Sequence, residues 1–228
     1  MSGGDLRKRA FDLLFGTLLS IAVFPVVLIL GIAVAVDLRA WPLFVHRRVG
    51  RNGKEFAFPK LRTLPPEAPR YADKYSTREI HISRFRRLMR KHHLDELPQI
   101  FLVPLGTLSL VGPRPEMPNL HAAGNQEFAE ARTSVRPGCT GLWQVGVDAE
   151  LLIWEAPEYD LVYLQNRSLR LDIWIIWRSI VLIVGCGGPV SLGELPPRLL
   201  RSRMAPVAQA RHLPYTEGHL ELPMAREL

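Results

Sequence analysis

The sequence predicts an α+β fold that is mainly helical: a small globular domain with one β-hairpin and several amphipathic helices, carried on an N-terminal re-entrant helix kinked at a proline. Three observations predict it. No charged residue occurs from Leu13 to Val36, and Pro25 stands in the middle of that run. Two short β-prone stretches flank Asn52-Gly53, a residue pair that favours tight hairpin turns. Three later segments space their apolar residues at helical intervals.

The apolar run would make a helix of roughly 36 Å, enough to cross a hydrocarbon core. A signal peptide is disfavoured because the run is far longer than a usual h-region. A plain spanning helix remains open, but two features weigh against it. Pro25 removes a backbone hydrogen bond mid-run, and basic residues lie on both sides: Arg7, Lys8 and Arg9 before, Arg39, Arg47, Arg48 and Arg51 after. Positive flanks resist translocation, so the preferred reading is a re-entrant helix over about residues 13–36 that enters and leaves by one face.

Trp41 to His46 and Glu55 to Pro59 are the predicted hairpin strands. They would present Arg47, Arg48, Lys60 and Arg62 near the membrane surface. Residues 64–78, with Pro65, Pro66 and Pro69, read as a loop. From Ile80 to His93, Ile82, Phe85 and Met89 share a face while Arg84, Arg86, Arg87, Arg90 and Lys91 take the others. This basic amphipathic helix suits either an anionic head-group plane or packing on the core.

Next come Asp95 and Glu96, beside Pro98. Proline is accepted in the first turn of a helix, so the two carboxylates are placed at a helix N-terminus, where the dipole favours ionised acids. Pro113 and Pro115 flank Arg114 and fix the backbone around a guanidinium able to fork onto carboxylate or phosphate oxygens. Arg136, before Pro137-Gly138, is a second clamp of the same design. Each has a plain alternative: an ordinary cap, a solvated loop arginine, a structural turn. A polar helix is predicted over about Met117 to Arg132, a strand-like stretch following Arg136-Pro137-Gly138, and a helix from Trp154 to Leu164 with Asp160 and Tyr163 on one face. Leu171 to Gly187 is apolar but interrupted by Asp172 and Arg178, which suits an interfacial or core helix. The prolines that recur from Pro189 onward suggest a loosely packed extension over 189–228, after a single domain over 1–188.

Composition narrows the classes. The formal charge of +7 suits an anionic partner such as lipid head groups or nucleotide phosphates. Nucleic acid is disfavoured, since no binding module is visible and the chain opens with a membrane segment. Cys139 and Cys186 are the only cysteines, too few for a disulfide framework or a thiolate metal site, which suits a reducing cytosol.

In Lys8-Arg9-Ala10-Phe11-Asp12, Arg48 to Lys54 with Lys60-Leu61-Arg62, Leu94 to Gln99, Ser109 to Pro115, Arg136-Pro137-Gly138 with Gly141 to Val145, and Tyr159-Asp160 through Tyr163, Ser168 and Asp172, the chain resembles the bacterial sugar transferases. These are the monotopic phosphoglycosyl transferases that begin lipid-linked glycan assembly. The resemblance runs from about Lys8 to Val184. It implies an enzyme on the cytosolic face of the bacterial inner membrane, anchored by a re-entrant helix broken at Pro25. It implies transfer of a sugar 1-phosphate from a nucleotide diphosphate sugar, usually a UDP-sugar, to polyprenyl phosphate, with Mg2+ as cofactor. Asp95 would be the nucleophile, giving a phosphosugar-aspartyl intermediate. Glu96 would hold the metal, with Asp95, or assist the incoming lipid phosphate, and Lys60, Arg62, Arg114, Arg136 and Asp160 would bind substrate. A homodimer is left open. The chain departs from the family pattern at Phe24, Leu102, Leu105, Thr107 and Asp148. Two other activities fit the same residues: a membrane-anchored scaffold that binds lipid-linked sugars, and a hydrolase of the same phosphates.

Overall fold

A computed structural model describes residues 3–68, 80 and 82–201 of the chain. Most of the 64–78 loop, and the extension beyond Arg201, lie outside the described residues. The first element, α1, is a helix from Gly3 to Leu38. It begins about ten residues before the expected start, so the basic residues Arg7, Lys8 and Arg9 are helical too. It also continues through Pro25 without interruption. The missing N–H there leaves one carbonyl a turn earlier unbonded, and the hydrogen bonds on either side carry the helix across.

One side of α1 is docked from end to end. Near its start Arg167 pairs with Asp5 at 3.0 Å, and Arg9 donates to the carbonyls of Val103 and Pro104 at 2.8 and 2.9 Å. Lys8 bridges Asp12 and Asp172, each at 3.0 Å. Near its end Val34 is fully buried with Leu61 and Met89, and Asp37 accepts from Arg86 at 2.6 Å. The other side is bare. Leu14, Leu18, Ile21, Leu28, Ile32 and Val36, spaced three to seven apart, are all more than half exposed. A continuous apolar stripe of this kind on a helix long and apolar enough to cross a membrane associates the molecule with lipid.

Two antiparallel strands follow, β1 (Leu43–Val49) and β2 (Glu55–Leu61). They are the predicted hairpin, closed by a short turn in which Asn52 and Gly53 take φ of 58° and 72°, the left-handed region that Asn and Gly tolerate. Helix α2 (Arg84–Lys91) is capped by Ser83, whose hydroxyl accepts from the Arg86 amide at 3.3 Å. Of the two seats open to its apolar stripe, Met89 and Phe85 take the core, while Leu88 stays exposed.

Of the second sheet only the strand-like stretch after Pro137-Gly138 was expected: β3 (Ser109–Val111) runs parallel to β4 (Gly138–Thr140). Gly112 and Gly138 allow the close approach, with hydrogen bonds from Gly112 N to Thr140 O and from Gly138 N to Pro113 O at 3.0 and 2.9 Å. The single helix expected over 117–132 is two, α3 (Pro118–Ala123) and α4 (Gln126–Thr133). Asn125 restarts the chain by capping the Phe128 amide at 3.0 Å. Then come α5 (Glu158–Asn166) and α6 (Leu169–Val184). Helix α6 buries Leu171, Asp172 and Ile175 and exposes Ile173, Trp177, Ile180 and Val184, so it is both a core helix and a second apolar surface.

The main core gathers Phe58, Val103, Leu108, Val111, Leu142, Tyr159, Tyr163, Leu171 and Ile175. Leu195 and Leu199 belong to it as well, and the Arg201 amide donates to Asn166 at 2.7 Å. Residues 190–201 are therefore integral to the packing, where a loose extension was expected.

Candidate active site

Asp95 and Glu96 fall in the first turn of a 3-10 helix, Leu94–Leu102, that follows α2 through His93 at φ 53°. Pro98 lies inside this element, not in its first turn as the sequence suggested. Proline lacks the N–H that an interior helical residue donates, and this segment winds as 3-10 throughout.

Cross-strand pairing builds the opposite wall. Phe44 faces Lys60, His46 faces Phe58, and Arg48 faces Phe56. Directly paired residues share a face of the sheet, so Lys60, His46 and Arg48 project together from the hairpin toward the acidic helix. Aromatic rings space the cations: Lys60 lies 5.5 Å from the Phe44 centroid and Arg48 5.6 Å from that of Phe58. From the third side Arg114 reaches Glu96 with both terminal nitrogens, at 2.9 and 2.5 Å.

The two carboxylates are thus unlike. Burial alone would raise the Glu96 acid, but the forked Arg114 guanidinium outweighs it and holds Glu96 down at about 2. Asp95 has no side-chain hydrogen bond or ion pair to another group among the described residues. Burial, and then the charge of Glu96, raise its pKa against the opposing pull of Lys60. Burial and the adjacent Glu96 charge thus oppose the helix dipole that was expected to favour an ionised Asp95. Lys60 is lowered by burial and sustained by Asp95 and Glu96. Burial, followed by Arg48, Lys60 and Arg114, pushes His46 down to about 3, so it is a neutral imidazole at pH 7.

Of the residues singled out in the sequence, Asp95, Glu96, Lys60 and Arg114 come together. Arg62 stands at the edge, its guanidinium over the Phe44 ring at 5.5 Å and its Nε donating to Trp41 O at 3.2 Å. Arg136 is not brought to the acidic pair. Although its turn is laddered to that of Arg114, its Nε donates to Gly106 O at 2.9 Å. Asp160 is not there either. It is buried against Arg132 at 2.7 Å. Sequence reasoning missed His46 and Arg48 as neighbours of the pair, though the alternation that puts Lys60 on the face also puts them there. It missed Glu116, 3.5 Å from Arg48, and Arg132, for which no local signal exists.

The donor set fits magnesium. A hard cation of this kind is held by one or two carboxylates together with substrate phosphates, and Asp95 and Glu96 are adjacent, with Asp95 unpaired. No group of three or more metal-ligating side chains occurs among the described residues.

Fold and site together define a membrane-associated enzyme domain in which an acidic pair faces buried cations, an arrangement made for phosphate groups. The chain belongs to the bacterial sugar transferase family, whose sequence model matches residues 4–185. Among its curated relatives is an undecaprenyl-phosphate glucose phosphotransferase of Komagataeibacter xylinus, 36% identical over 77% of this chain and 35% of the relative. The exopolysaccharide production protein ExoY of Sinorhizobium fredii is 31% identical over 78% of this chain and 85% of its own length. A UDP-glucose:undecaprenyl-phosphate glucose-1-phosphate transferase of Caulobacter vibrioides is 34% identical over 77% and 69%. The chain thus spans about a third of the first relative and most of the other two.

Proposed function

We propose that this chain transfers a sugar 1-phosphate from a UDP-sugar to a polyprenyl phosphate such as undecaprenyl phosphate, the first membrane step in building an exopolysaccharide or related glycoconjugate. The observation that carries the reading is the asymmetry of the pair: Glu96 is locked by Arg114, while Asp95 is buried beside Lys60 and its carboxylate is tied to no other described residue. An Asp95 oxygen attacks the β-phosphorus, the bond to the nucleoside monophosphate breaks, and the sugar phosphate is left on the enzyme as an acyl phosphate. A lipid phosphate oxygen then attacks that phosphorus, and the aspartate leaves as carboxylate. Lys60 and Arg48 balance the negative charge that gathers in both steps. Asp95 and Glu96 would hold magnesium, which when bound would supply further charge neutralisation. The names of the relatives quoted above support the substrate classes. Docking of both ends of α1 on one domain supports an anchor that stays on one side of the bilayer, and its basic flanks favour the cytosolic side.

The test is incubation of purified protein with lipid phosphate and a panel of radiolabelled UDP-sugars, beginning with UDP-glucose. Labelled enzyme and labelled lipid, with release of UMP, are the expected products. Free sugar phosphate alone would make the protein a hydrolase, and no turnover would leave a scaffold. Asp95→Asn is expected to lose both labels while still sedimenting with membranes; full activity in this variant would refute the nucleophile assignment.

A further inference from the structure

Arg132 and Asp160 form the most deeply buried ion pair among the described residues, with 4% and 1% of their side chains exposed. Arg132 closes α4 and Asp160 lies in the first turn of α5. The guanidinium is used as a fork. Its Nε donates to Asp160 Oδ2 at 2.7 Å, and its Nη2 donates forward to the main-chain carbonyl of Arg114, also at 2.7 Å. Its plane is confined by two rings, Phe128 at 5.4 Å and Trp154 at 5.8 Å, themselves packed edge to face.

A buried ion pair of this kind is a poor source of stability, because desolvation cancels most of the attraction. Here it has a second cost, since the other Asp160 oxygen is buried without a partner. What the pair does provide is a fixed direction. Arg114 sits between Pro113 and Pro115, whose rings lock the flanking φ angles, so a pinned carbonyl sets the path of the whole side chain. That side chain ends on both oxygens of Glu96.

We infer that Arg132, oriented by Asp160, is a positioning residue that fixes Glu96 through Arg114, in a line running Asp160, Arg132, Arg114, Glu96. The assignment replaces substrate contact as the role of Asp160, and it rests on the reading that Asp95 and Glu96 are the reacting pair. Lysine cannot do the same work, since a single ammonium lacks the planar fork that serves the carboxylate and the carbonyl together.

The experiment compares Arg132→Lys and Asp160→Asn with the wild type, each alone and in an Arg114→Lys background. Turnover, thermal melting and hydrogen exchange are read on the full-length protein in lipid nanodiscs. Arg132→Lys is expected to lower kcat about tenfold with the KM for the UDP-sugar within about twofold, and in the Arg114→Lys background the same change is expected to cost less than about twofold. Asp160→Asn, which keeps an acceptor for Nε, is expected to fall between. Exchange in both variants is expected to quicken over residues 109–117 while α4 and α5 keep their protection. Equal losses in both backgrounds, unchanged kcat, or exchange that quickens first in α4 and α5 would each overturn the inference. If the wild type itself releases no UMP, the transfer reading fails alone, and the exchange pattern still decides whether Arg132 holds the Arg114 turn.

Discussion

Two neighbouring acids in the same turn carry opposite consequences for stability. Glu96 is held at about 2 by Arg114 against an ordinary value of 4.5. Its ion pair therefore stabilises the fold fully above pH 4.5, and that contribution is lost as the pH falls toward 2. Glu96→Gln is expected to cost roughly 2 kcal/mol at pH 7, a difference that narrows at pH 3, as denaturant melts at the two pH values will show. Asp95 runs the other way. Its pKa is raised above the ordinary 3.8, so its contribution is greatest below 3.8 and is lost as the pH climbs through the folded value. Asp95→Asn is accordingly expected to melt higher than wild type at pH 7 while losing turnover, the usual exchange of stability for reactivity. Melting the same variant at pH 3, where wild-type Asp95 is itself protonated, is expected to abolish the gain.

At the scale of elements, the site depends on three walls built by different means. The hairpin wall follows from period-two alternation and an Asn-Gly turn. The acidic wall is a 3-10 helix that carries both acids in its first turn. The third wall, which carries Arg114, depends on two three-residue strands and on glycines. A Cβ on Gly138 would lie 2.1 Å from Gly112 N and 2.4 Å from Thr140 O, both main-chain atoms. Gly138→Ala must therefore push β4 off β3, with an expected loss of about 3 kcal/mol. Because the same ladder seats Pro113-Arg114-Pro115, turnover is expected to fall further than the melting temperature alone would explain, in assays run well below the new melting point. Helix α2 shows how far a pattern can be read: its apolar stripe was visible, but the turning of Arg86 inward to Asp37 was not.

For the molecule as a whole, α1 decides how the site meets the membrane. Contacts at Asp5, Arg9, Ser20, Val34 and Asp37 hold it along one domain, which supports the proposal that its two ends lie on one side of the bilayer. Arg7→Cys and Arg51→Cys, both at exposed positions, test this in a Cys186→Ser background, since Cys186 is exposed. Both are expected to react with an impermeant maleimide only in inside-out vesicles. Labelling of the two from opposite sides would mean that α1 crosses. The exposed faces of α1 and α6 then lie toward lipid, with the acidic helix packed against α1 through Ile100 and Val103.

The sequence by itself determined the apolar anchor, the hairpin, the acidic pair at a helix start and the stiff turn around Arg114. Each of these is written in neighbouring residues, through periodicity, turn chemistry or proline geometry. Only the tertiary structure decided that Arg114 forks onto Glu96, that Arg136 faces Gly106, that Asp160 belongs to Arg132, and that Asp95 and not Glu96 is the acid left unpaired. Those pairings join residues 18 to 30 positions apart. Burial and charge act through space, so they respond to which side chains the folded backbone brings together, and no local stretch of sequence carries that information.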